Sequence, residues 1–134
     1  MSRFTRFILT LAVISIVSFV EIFAATAPSS QARYISFSNI TANTVDITMV
    51  RGNGNKRIVV VSTDATVDNP VNETQFSDEN GNYTSGPFVN GSSSDRVVDV
   101  LTGSQWQSTI TNLSGGITYY VKVFEFNEDG STPI

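Results

Sequence analysis

The sequence predicts an all-β domain: a two-sheet sandwich. Three observations point there. Beyond the first 32 residues no stretch shows the 3.6-residue periodicity of a helix. Apolar residues instead alternate with polar ones in short runs of β-branched and aromatic side chains, bounded by Gly, Asn or Pro. Six or seven such runs fall within about 100 residues, the strand density of a sandwich.

Residues 1–32 read as a signal peptide. Arg3 and Arg6 precede residues 7–20, a run without a charge that ends at Glu21. That run suits a signal-peptide core and is short of the roughly 20 residues a membrane span needs. Ser30 and Ala32 put small residues three and one before a cut, so cleavage is expected after Ala32. Ala25 and Ala27 offer better side chains, but Pro28 would follow that cut and block it. A retained membrane anchor is the alternative. Residues 24–32 read as a cleavage region or flexible lead-in, and residues 33–134 as the folded domain. The expected location is secreted, in the cell envelope or on the cell surface, with no membrane contact once the leader is gone.

Residues 33–134 carry six basic and eleven acidic side chains, a net charge of −5. That balance argues against nucleic acid, which is bound by neutralising phosphates with Lys and Arg. The chain has no Cys and no His. An exported domain of this kind is held by core packing without disulfides, which about 100 residues can sustain. The usual zinc ligands, Ser-His and Cys-His catalysis and thiol chemistry are also excluded. No catalytic residue, metal or cofactor is expected.

Each element follows in order. Residues 34–40 alternate, with Ile35 and Phe37 on one face. Residues 44–50 alternate more cleanly, with Val45, Ile47 and Met49 inward and Asp46 and Thr48 outward. Residues 51–55 (RGNGN) read as a turn whose Gly and Asn suit positive φ. Residues 56–62 (KRIVVVS) are apolar on both faces, as in a strand covered on both sides. Residues 63–95 are rich in Asp, Asn, Gly and Ser. Left unstructured they would be too long a loop for a compact domain, so a structured excursion pinned by Phe76, Tyr83 and Phe88 is expected. Residues 96–101 form the next strand. In residues 105–113, Ser108, Ile110 and Leu113 face inward and Trp106 sits at the core rim. Gly115 and Gly116 turn the chain. Tyr119, Val121 and Val123 then point inward, and Tyr120, Lys122, Phe124 and Phe126 outward.

The corner Leu113-x-Gly-Gly-x-x-Tyr119, followed by Val121 and Val123, resembles that of fibronectin type III domains, which are immunoglobulin-like sandwiches. Four further pieces are similar to a subgroup found in large secreted and surface proteins of bacteria: Phe37-x-Asn39-Ile, Val50-Arg-Gly-Asn-Gly54 running into Arg57-Ile-Val-Val, Asp68-x-Pro70-Val, and Thr118 to Asn127. The resemblance covers residues 30–134. It implies that Leu113, Gly116 and Tyr119 form a structural corner, with the Tyr119 hydroxyl bonded to the corner backbone. Met49 stands where the family carries a Trp. The resemblance also implies a final strand, for which only residues 128–134 remain. Asp129-Gly130 is a natural hairpin turn, and the chain is expected to be the N-terminal fragment of a longer protein.

On this reading the protein is a non-catalytic structural or interaction module whose partners are other domains of the same chain. One alternative is a glycan- or protein-adhesion module using Trp106, Tyr120, Phe124 and Phe126, since exposed aromatics mark binding surfaces. Another is a filament subunit completed by a donated strand. Residues 78–82 (DENGN) space oxygen ligands as calcium loops begin, but lack the closing bidentate Glu and read as a polar turn. The carboxylate pairs Asp64/Asp68 and Asp95/Asp99 read as solvated surface. The sequons at Asn39, Asn72, Asn82, Asn90 and Asn112 reflect a chain rich in Asn, Ser and Thr.

Overall fold

The computed structural model describes residues 26–71, 74, 76, 80–129 and 132–133. The leader through residue 25, the Asp78-Glu79 start of the acidic turn, the Asn72 sequon, Gly130 and Ile134 lie outside them.

The chain is all-β. Its strands are β1 (Arg33–Ser38), β2 (Val45–Val50), β3 (Lys56–Ser62), β4 (Arg96–Thr102), β5 (Gln107–Ile110), β6 (Tyr120–Phe126), β7 (Glu128–Asp129) and β8 (Thr132–Pro133). Two antiparallel three-stranded sheets, ordered β1-β2-β5 and β4-β3-β6, pack together as a sandwich. The short strands β7 and β8 pair with each other.

Period-two alternation builds the main core between the sheets. It contains Ile47 and Met49 of β2, Val59 and Val61 of β3, Val98 and Leu101 of β4, Ile110 of β5 and Val123 of β6. β3 is buried from Arg57 to Ser62, so its other face needs a second cover. Residues 63–95 supply it. Val89 is fully buried against Ile58, Val60, Val97 and Val100, with Val67, Phe76, Phe124 and Phe126 packed around them. β4 serves both cores because of a bulge opposite Val59 and Val60. The extra residue reverses the alternation, so that Val98 and Leu101 face one core and Val97 and Val100 the other.

The excursion does more than cover a face. Gly81 N–H donates to Val98 O of β4 (2.8 Å), and Thr111 N–H, just past β5, donates to Gly81 O (2.8 Å). The segment therefore stitches the two sheets together along their β4 and β5 edges. Gly81 has φ +83°, and a Cβ there would lie 2.0 Å from Thr109 O. Only glycine fits. Of the three expected anchors, Phe76 joins the second core, whereas Tyr83 packs edge-on against Tyr119 (centroids 5.1 Å apart) and Phe88 lies under the Arg96 guanidinium (3.9 Å).

Three expectations need correction. Phe37 pairs with Ile47 across β1 and β2 but is 52% exposed, because nothing among the described residues covers that end of the inner face. The RGNGN loop has no positive φ; its glycines serve close approach, as described below. Residues 26–32 are not a loose lead-in but are hydrogen-bonded to the β2–β3 loop and to β6. Among the described residues the left-handed positions outside glycine fall at Asn39, Asn90 and Asn112, all sequon asparagines, and at Tyr34, where β1 bulges. Asn tolerates that region better than most residues.

Candidate functional site

β6 lies at the margin of its sheet, paired with β3 along one side from Tyr120 to Phe126. Its other side is defined by Glu125. The Glu125 amide donates to Gln31 Oε1 (2.7 Å), and its carbonyl accepts from Gln31 Nε2 (3.4 Å). Both groups therefore point away from β3. Backbone polarity alternates in an antiparallel ladder, so the N–H and C=O of Val121 and Val123 face the same outer side. Beside them a mostly apolar cleft of about 470 Å³ is lined by Ala32, Ile35, Val121, Val123 and Phe124, with Gln31, Asn69 and Lys122 also in its wall. A second cleft, about 380 Å³, continues at the corner between Phe37, Ile40, Val45, Leu113, Ile117 and Val121. An outward-facing row of backbone groups beside an apolar trough is the geometry of a strand-docking edge.

A buried polar hub fixes one end of this edge. Arg57 and Glu125 form an ion pair, Nε to Oε1 2.9 Å, with both side chains fully buried. Arg57 also donates to the carbonyls of Gln105 (2.5 Å) and Gly103 (3.2 Å). Gly52 N–H donates to Glu125 Oε1 (2.8 Å), while Glu125 Oε2 is buried with no hydrogen-bond partner among the described residues. A Cβ on Gly52 would meet Ser30 O at 2.0 Å and Glu125 Cγ at 2.8 Å. The loop glycine is therefore required where the segment before β1 crosses it. The Asn55 amide is bidentate on the Glu128 backbone (3.0 Å each way), and Lys56 pairs with the Glu128 carboxylate.

The residues singled out in the sequence fall in separate places. At the corner, Ser114 N–H donates to the Tyr119 hydroxyl (3.0 Å), Leu113 N–H bonds Asn43 O (3.0 Å), and Gly116 has φ +80°. Phe124 and Phe126 are half-buried on the outer face of β6, while Tyr120 beside them is 39% exposed. Trp106 precedes β5 on the opposite sheet and is 51% exposed, its carbonyl accepting from Met49 N–H (3.0 Å). Trp106 and the β6 aromatics thus do not share a surface. Gln105 and Gln107, either side of Trp106, line a polar cleft of about 450 Å³ with Asn39, Asp46, Asp99 and Thr109. Hydrogen bonds from Thr109 (2.7 Å) and Asn39 (2.7 Å) hold the Asp46 carboxyl below its ordinary value.

Asp95 corrects the reading of the carboxylate pairs as solvated surface. It is 1% exposed. Burial works to raise its carboxyl, but hydrogen bonds from Ser62, the Asp68 amide (2.9 Å), Ser94 and Ser92 outweigh it and hold the group below the usual carboxylate value. Asp95 thereby ties the end of β3 to both ends of the excursion. Asp99 sits at the β4 bulge and accepts from the Ser108 hydroxyl. Gln31, Glu125 and Asp95 escaped sequence reasoning because their partners lie 94, 68 and 27 residues away.

Compared with known proteins, the chain matches no protein-family model, and no curated protein or solved structure matches it significantly.

Proposed function

We propose that this chain is a non-catalytic interaction module of a secreted or cell-surface protein, a fibronectin type III-like sandwich that works through the outer edge of β6. The observation that carries the reading is that edge: the outward backbone groups of Val121 and Val123 lie beside an apolar cleft. Its partner is an extended strand, from a neighbouring domain of the same protein or from another chain. The strand order supports the type III assignment. β1, β2 and β5 stand as strands A, B and E of such a sandwich, and β4, β3 and β6 as C′, C and F. The Tyr119–Ser114 hydrogen bond supports it further. The buried charges hold the fold, Arg57 with Glu125 and Asp95 with the excursion, which favours a structural role for them over catalysis.

The test is an NMR titration of the full chain with a short peptide of alternating Val and Thr, capped by Lys. Shifts and slowed exchange at Val121 and Val123 are expected. Shifts confined to other surfaces, or none, overturn the reading.

A glycan-adhesion reading rests on a separate observation, the exposed Trp106 indole between two glutamines that line a polar cleft. It predicts glycan-array binding that is lost in Trp106→Ala.

A further inference from the structure

The β6 edge is not bare along its whole length. The Gln31 side chain bonds the Glu125 N–H and C=O together, which is the pair of bonds a residue of an adjacent antiparallel strand would make. Gln31 is carried there by a segment with its own anchors. Ser30 N–H donates to Asn53 Oδ1 (2.9 Å), Asn53 N–H donates to Ser30 O (3.1 Å), the Asn53 amide bonds Ser29 Oγ (3.0 Å), and the Asn127 amide bonds Thr26 O (2.6 Å). Gly52 leaves the space through which Ser30 O passes. Ala32, at the end of the segment, forms part of the cleft wall beside Val121 and Val123.

We propose that residues 26–32 are a strap that occupies one end of the β6 edge and competes with the strand that docks there. This rests on the strand-docking reading above and adds its regulation. An incoming strand that pairs along β6 as far as Glu125 needs the two backbone groups that Gln31 holds, so strap and strand exclude one another at that residue.

The test compares the full chain with Gln31→Ala and with Gln31→Asn, which keeps an amide but shortens its reach. Glu125 amide exchange and affinity for the alternating Val/Thr peptide are measured in each. The strap predicts that the Glu125 amide is protected in the wild type and loses that protection in both variants. It also predicts that peptide affinity rises by about tenfold, the worth of one or two such hydrogen bonds. Unchanged Glu125 exchange, or unchanged peptide affinity in the variants, overturns the strap while leaving the docking edge in place. Failure of the wild type and both variants to bind the peptide overturns the docking reading, and the strap with it.

Discussion

Asp95 shows how one side chain can organise a segment that the sequence leaves shapeless. Its carboxylate is buried and collects hydrogen bonds from both ends of the excursion. Because its folded pKa is depressed, its contribution to stability is fully present above the unfolded value of about 3.9 and is lost as pH falls through the folded value. Asp95→Asn should therefore lower stability at neutral pH by about 1–3 kcal/mol. It should also flatten the loss of stability on acidification below the ordinary carboxylate range; urea titrations at neutral and acidic pH read both. Gly81 acts through what it lacks. Gly81→Ala must push a Cβ against Thr109 O from a left-handed backbone, and a loss of at least about 2 kcal/mol is expected from strain and clash together. A shift in the denaturation midpoint of Gly81→Ala no larger than that of an exposed surface substitution would contradict the stitched-edge account.

At the scale of elements, β3 is where sequence and structure agree most closely, and the reason is physical. A strand apolar on both faces must be covered twice, and among the described residues the segment 63–95 supplies the second cover. What the sequence could not place was the plug, Val89, because its burial depends on the turn Asp95 fixes rather than on any periodicity. Val89→Ala should cost about 1.5–3 kcal/mol, comparable to Val59→Ala in the main core, and calorimetry of the two variants compares them. The β4 bulge was equally hidden, since RVVDVL satisfies either alternation until Asp99 is given its Ser108 partner. The Arg57–Glu125 pair joins β3 to β6 where the inner face would otherwise be apolar. Arg57→Met alone should cost about 3–5 kcal/mol by stranding a buried carboxylate. Adding Glu125→Leu should recover part of that, though not all, because Arg57 also holds the carbonyls of Gln105 and Gly103. A double-mutant cycle with no coupling would contradict the pair's role.

For the whole molecule, the two flanks of the sandwich are treated differently. One is stitched by Gly81 and its neighbours across β4 and β5. The other, between β1 and β6, holds an apolar cleft closed in part by Gln31 and its strap. The sequence placed Val121 and Val123 on the inner face of β6 and Lys122 and Phe124 on the outer one, with a partner strand expected along its free edge. It could not show that residues 26–32, read as leader and lead-in, reach across to that edge, because the contact depends on a side-chain amide imitating backbone. Proline at position 121 removes one outward N–H while sparing the β3 ladder, so Val121→Pro should weaken strand-peptide binding more than it perturbs the fold. The most direct measurement is amide hydrogen exchange along β6 in the free full chain, by NMR. Rapid exchange at Val121 and Val123, with protection at Lys122 and Phe124 from the β3 ladder, is the pattern an open edge produces. Equal protection at all four positions would mean the edge is already paired and would contradict the account.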